Sequence, residues 1–296
     1  MIYVIFRFIW LGSSGDSGLL DFSEDIFLEK YGAWIKPVYI MDDPEKRRSK
    51  RRTIDAINKK FSIYLPYQDD KKAQRIAEAF SGCLSILHDS SLLTENPFIY
   101  PISDEFLMEG KYIPKTAFGR NNYYSLNMGT HVTTSYNYYK EAGRLIDATV
   151  DDLFMAVTFY KIGTRLLFVS PIDMHDHRWD KKWKPETAEE RAIMENAFLN
   201  FYKSIEAIFG EPNKNRLAFA EKLRTQGIDP EELVGFKEKE RIIDKIYRMS
   251  DIRNKKAAHR KSMPHKKRFI SYYEFIDLQY LANFLIHTVL NERVKK

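Results

Sequence analysis

In the string IYRMSDIRNKKAAHRK, residues 246–261, an arginine, an asparagine and a histidine are spaced for acid–base work on a phosphate. Arg253 and Asn254 are adjacent, and His259 follows six residues after the arginine. An imidazole titrates near neutral pH, so His259 can take the proton from a hydroxyl about to attack. A guanidinium lays a planar fork of N–H donors on phosphate oxygens. Arg253 can therefore hold the group under attack and stabilise the charge that builds on it. Asn254 can orient either partner. The chemistry open to this set is phosphoryl transfer on RNA, with the ribose 2′-hydroxyl as the nucleophile that DNA lacks. The step calls for no metal and no cofactor.

The surrounding charge suits the same partner. Between Arg241 and Arg268 there are eleven Lys/Arg and two acids, Asp244 and Asp251, which is +9 in 28 residues and leaves −3 of the overall +6 for the rest of the chain. A concentrated basic segment points to a polyanion more than a high overall pI does. Lys255, Lys256, Arg260, Lys261, Lys266 and Lys267 are the candidate backbone-holding groups, and RNA is the expected partner. A second run, KRRSKRR, covers residues 46–52. Either run also reads as a solvated helix face.

A helix has to carry these groups. Ile242, Ile246 and Met249 step by 4 and 3, and Arg253 extends their stripe by another 4, which aims its side chain at packed surface. On a straight helix, Arg253 and His259 lie about 9 Å apart in rise and about 120° apart in rotation. They converge only through the reach of arginine, through helix distortion, or across a two-fold axis. The plain alternative is a pair of polar residues at a helix end, where a histidine suits the negative terminus.

The neighbouring helices announce themselves. Thr187 with Glu190 matches a capping box, and Met194, Phe198, Phe201, Ile205 and Ile208 form a stripe that Gly210 ends. A second helix is expected over residues 213–226, ending at Gly227. Asp229-Pro230-Glu231-Glu232 reads as a further start signal, and a third helix is expected from about Lys237 towards His259. Ser271 with Glu274 is a second capping box, opening a last helix with Phe275, Leu278, Ala282, Leu285 and Val289 inward. Four helices in about 110 residues suit a small bundle.

Arg253, a polar residue, then His259 after five intervening positions, in a four-helix setting, resembles the HEPN superfamily, and most nearly its Apea-like members, in which such a string closes the third helix. The resemblance covers residues 187–296, about a third of the chain. It implies a homodimer of helical domains with a composite site where two motifs meet. It also implies metal-independent endoribonuclease activity, often in toxin or antiviral defence roles. Other members of the superfamily have lost catalysis and act as scaffolds or nucleotide-binding modules.

The first 180 residues differ in texture. Short pieces rich in Tyr, Phe, Val, Ile and Thr alternate with Gly, Pro, Asn and Asp. Strands are expected at residues 2–11, 33–41, 61–65 and 123–126. A hairpin is expected from residues 153–160 and 165–170, with Gly163 in its turn. Helices are expected over residues 69–88, by apolar spacing, and 53–60. The predicted fold class is α+β: a mixed strand and helix domain over residues 1–180, then an all-α bundle over residues 187–296, joined by a charged linker.

Other motifs read as structural. Residues 12–18, GSSGDSG, lack the Gly-Lys-Ser/Thr ending of a phosphate loop. His175-Asp176-His177 has no companion set of metal ligands, so no metal site is expected. Cys83 sits among apolar residues and reads as a buried, inert thiol. Five tyrosines in residues 120–140 suit a half-exposed sheet as well as stacking on unpaired bases. One cysteine excludes an internal disulfide framework, which suits a reducing, cytoplasmic setting. The apolar N-terminus runs about eleven residues and is broken by Arg7, too short to span a membrane, so no membrane partner is expected. The composition, 44% hydrophobic and 30% charged, excludes wholesale disorder. Two function classes stand: an RNA-cleaving enzyme, and a non-catalytic dimeric module that binds nucleic acid or nucleotide.

Overall fold

The computed structural model describes residues 2–11, 26–37, 60–66, 70–88, 91–94, 98–101, 139–169, 187–212, 215–235, 239–258 and 270–295. Two compact units divide the chain, Met1–Leu84 with Leu92–Arg144, and Ser85–Ser91 with Leu145–Lys296. The fold is α+β. Among the described residues no helix is long and apolar enough to cross a membrane.

The first unit is built on an antiparallel sheet. Its strands are β1 (Ile2–Leu11), β2 (Ile26–Leu28), β3 (Ala33–Pro37), β4 (Lys60–Pro66), β5 (Ser91–Thr94) and β6 (Phe98–Pro101). They lie in the order β2-β3-β4-β1-β5, with β6 also paired to β1. Alternation decides which face is buried: Val4, Phe6 and Phe8 of β1 point inward, as do Ile63 and Leu65 of β4. The register aligns Ile26, Ile35, Ile63 and Phe6 into one buried row across four strands. The helix α1 (Asp70–His88) buries Ala73, Ala77, Phe80 and Leu84, the spacing anticipated. Cys83 is fully buried, and burial, helped by Glu141, pushes its thiol far above the ordinary range. That is the inert cysteine expected. The strand expected at residues 123–126 and the glycine-rich loop at 12–18 lie outside the described residues, as do the basic run at 46–52 and His175 to His177. Of the helix expected over residues 53–60 only Lys60 is described, and it opens the strand β4 instead.

The second unit is helical. It contains α2 (Asp152–Val169), α3 (Ala188–Phe209), α4 (Arg216–Thr225), α5 (Ile242–Ile252) and α6 (Tyr272–Lys295). The expected hairpin is replaced by α2, one continuous helix. Its β-branched and aromatic residues suggest strands locally, but Leu153, Ala156, Val157, Tyr160 and Thr164 also recur at helical spacing, and all are buried. Packing of that face overrides local propensity. Phe201 of α3 lies against Tyr160 of α2 and Phe275 of α6, with ring centroids at 5.1 and 5.7 Å. The Asn283 amide on α6 donates to the Ile86 carbonyl at 2.7 Å and the Tyr160 hydroxyl at 3.1 Å.

Gly163 has a different job from the one its sequence setting suggested. A Cβ there would lie 2.9 Å from the Phe201 ring and 3.2 Å from the Ala197 carbonyl oxygen, so the absent side chain lets α2 and α3 approach. Alanine at a helical glycine ordinarily stabilises by about 1 kcal/mol. Here Gly163→Ala should destabilise by about 1–3 kcal/mol through overpacking. A lower thermal midpoint is expected, and a higher one would show that the helices do not depend on this notch.

Both capping boxes form. The Thr187 hydroxyl accepts from the Glu190 N–H while the Glu190 carboxylate accepts from the Thr187 N–H, and Ser271 with Glu274 does the same. The start signal at residues 229–232 opens a β-turn rather than a helix: Glu232 N–H donates to the Asp229 carbonyl at 3.1 Å. Two short strands follow, β7 (Leu233–Val234) and β8 (Glu240–Arg241), and α5 begins only at Ile242. The turn still caps α5. Its Glu232 and Pro230 carbonyls accept from the N–H groups of Ile242 and Ile243, two donors that have no partner within the helix.

Candidate functional site

The stripe on α5 is realised. Ile242, Ile246 and Met249 are fully buried, and Arg253 continues their face. At Arg253 the winding changes to a π-helix over Arg253–Ala258, so the Arg-Asn pair lies on a widened turn. Such turns are rare and recur at functional sites. The backbone N–H of Arg253 is shared between the Met249 and Ser250 carbonyls.

Two other segments hold the guanidinium of Arg253. Its carbon lies over the Tyr202 ring of α3 at 5.4 Å from the centroid. One terminal nitrogen, Nη2, pairs with Glu206 at 3.2 Å. The other, Nη1, pairs with Glu211 at 3.1 Å and donates to the Asn254 side-chain oxygen at 2.8 Å. Tyr202 and Glu206 stand one turn apart on α3, so one helix face supplies both ring and carboxylate. Gly210, at a φ of 72°, ends α3 and sends Glu211 off the helix axis.

Burial sets the electrostatics. The Glu206 carboxyl is raised above its usual range mainly by burial, with Glu211 adding to the effect and Arg253 and Lys203 opposing it. The Tyr202 hydroxyl is buried without a hydrogen bond of good geometry, having only a marginal interaction with Ser250, and burial pushes it up to about 12. Because the folded state favours the neutral phenol, this contribution to stability is intact below the ordinary value of about 10 and is lost as the pH climbs towards 12. Tyr202→Phe should therefore unfold less readily than the native chain between pH 10 and 12, relative to their difference at pH 8. Chemical denaturation at the three pH values checks it; parallel losses would contradict it.

The basic segment is not a uniform positive face. Arg241 pairs with Glu231 and Asp244, and Arg248 with Glu240 and Asp277. Lys245, whose side chain is fully buried, pairs with Asp277 at 3.1 Å, and Lys255 pairs with Asp251 at 2.6 Å. With Arg253, every cation of the segment whose side chain is described has a carboxylate beside it. The tertiary fold brings most of these acids from outside the segment. The remaining charge falls in residues 256–268, which hold six Lys/Arg and no acid. Lys256 is described by its backbone, on the π-turn; His259, Arg260, Lys261, Lys266 and Lys267 lie outside the described residues.

Of the residues read from sequence, Arg253 and Asn254 are brought together. Tyr202, Glu206 and Glu211 were missed. The Tyr202–Glu206 spacing of four on the stripe-bearing helix was the available signal for two of them. Among the described residues no group of His, Cys, Asp and Glu could hold a metal ion. The chain matches no protein-family profile, no curated protein and no solved structure.

Proposed function

We propose that the helical unit is a HEPN-like module that binds RNA and cleaves it by 2′-hydroxyl attack. The observation that carries this reading is the setting of Arg253: a guanidinium on a π-turn, oriented by an aromatic ring, a half-buried carboxylate and the neighbouring asparagine. A phosphate-holding group needs such preorganisation, because donors already aimed at the developing charge cost no rearrangement during the reaction.

In this reading His259 takes the proton from the 2′-hydroxyl. The 2′-oxygen forms a bond to phosphorus, the bond to the 5′-oxygen breaks, and that oxygen leaves after accepting a proton. The products are a 2′,3′-cyclic phosphate and a 5′-hydroxyl. Arg253 carries the charge of the phosphorane, Asn254 fixes the guanidinium, and the lysines and arginines of residues 256–268 hold the backbone without sequence choice. Pairing of two chains through α5 and the turn after it would set two arginines and two histidines in one cleft. Toxin or antiviral defence is the biological role that the superfamily suggests.

The second reading, a non-catalytic dimeric module that binds nucleic acid or nucleotide, is favoured by a different observation. Glu206 and Glu211 already satisfy the arginine, as they would for a purely structural ion pair. Pure protein incubated with RNA in EDTA separates the two. Cleavage that disappears in His259→Ala supports the enzyme; RNA binding without any cleavage at high protein concentration supports the module.

A further inference from the structure

The two carboxylates on Arg253 are not equivalent. Glu206 sits in the last turn of α3 with its side chain 20% exposed, whereas Glu211 lies past the helix end and is 61% exposed. They also use different donors, Glu206 on Nη2 and Glu211 on Nη1. We propose that Glu211 is a displaceable stand-in for phosphate: its carboxylate occupies the Nη1 donor that a phosphate oxygen takes when substrate binds, while Glu206 stays and positions the guanidinium. This rests on the reading of Arg253 as the phosphate-holding group.

Exposure decides which carboxylate leaves. An ion pair with a largely exposed partner contributes little, because water solvates the released carboxylate almost as well. Release of Glu206 would abandon a charge in a partly desolvated place, at greater cost. A phosphate oxygen forms the same charge-assisted bond to guanidinium that a carboxylate does, so it can take the donor that Glu211 releases. A phosphate oxygen cannot be added at Nη1 beside Glu211, because the two N–H donors of that nitrogen already serve Glu211 and Asn254. Substrate binding is therefore an exchange, and Glu211 is an internal competitor that lowers affinity for phosphate without entering the reaction. Glu206 is a positioning residue, and its loss should show in the rate.

The test uses the full chain and two probes. Inorganic phosphate is titrated while the side-chain ¹⁵N resonances of Arg253 are followed, and RNA binding and cleavage are measured in parallel. Glu211→Gln should bind phosphate about two- to fivefold more tightly than the native chain, the range set by loss of an exposed pair. RNA should show a fall in KM by the same factor with kcat unchanged, and Glu211→Ala should repeat both results. Glu206→Gln should lower kcat without tightening either ligand. Tighter phosphate binding in the Glu211 variants, with RNA ignored by every form, keeps this proposal and removes the RNA reading. Equal or weaker phosphate binding in the Glu211 variants overturns it, as does the absence of any phosphate-dependent shift of Arg253.

Discussion

Asp277→Ala should destabilise the helical unit by about 3–5 kcal/mol, the usual cost of removing one partner from a buried ion pair. Asp277 lies on α6 and pairs with two cations of α5, Lys245 at 3.1 Å and Arg248 at 3.2 Å. The Lys245 side chain is fully buried, so loss of Asp277 removes a carboxylate from beside a desolvated ammonium. Glu240 can still serve Arg248, which is more exposed. The damage is therefore specific to Lys245, and Lys245→Met in the same chain should recover most of it, because an apolar side chain of similar length removes the stranded charge. In a unit of this size the loss corresponds to a fall in thermal midpoint of about 10 °C. A change below about 1 kcal/mol, or no rescue by methionine, would mean that the pair does not hold α5 against α6.

Arg253→Ala should remove most RNA cleavage, by about 10²–10³-fold in kcat, the scale for losing one preorganised charge-stabilising donor. Arg253→Lys should restore little. The native guanidinium serves Glu206 and Glu211 through separate nitrogens while lying over the Tyr202 ring, and an ammonium has neither the planar fork nor the stacking face. His259→Ala should cost a similar or larger factor, 10²–10⁴-fold, through loss of proton transfer. The two can be told apart. Removing the arginine should also weaken the binding of phosphate, whereas removing the histidine should leave binding intact. A lysine variant with full activity would reduce Arg253 to a point charge and undo the argument from its geometry.

Much of this architecture was legible because its causes are local. Capping boxes at Thr187 and Ser271 involve residues three apart, and both form as read. The alternation in β1 and the 4-3-4 stepping from Ile242 to Arg253 each name the buried face directly. Errors arose where the deciding partner lies far along the chain. Residues 153–169 carry strand-like composition, and only the α3 face that Gly163 admits settles them as helix. Asp229-Pro230 fits a helix start and a β-turn equally, since aspartate and fixed-φ proline suit both. The basic segment shows the same limit. Counting charges between Arg241 and Arg268 cannot reveal that Glu206, Glu211, Glu231 and Asp277 arrive from elsewhere to meet its first half. For the candidate site, the arginine and asparagine were readable from spacing, while the carboxylates that hold the guanidinium required the fold.

The most direct test of the central claim uses an RNA cut by the pure protein in EDTA, remade with a single 2′-deoxy residue on the 5′ side of the cut. Cleavage at that bond should stop while cuts elsewhere continue, and the products of the unmodified RNA should end in a 2′,3′-cyclic phosphate and begin with a 5′-hydroxyl. Continued cutting at the deoxy position would contradict 2′-hydroxyl attack, and with it the assignment of His259 as base and Arg253 as the group that holds the phosphate.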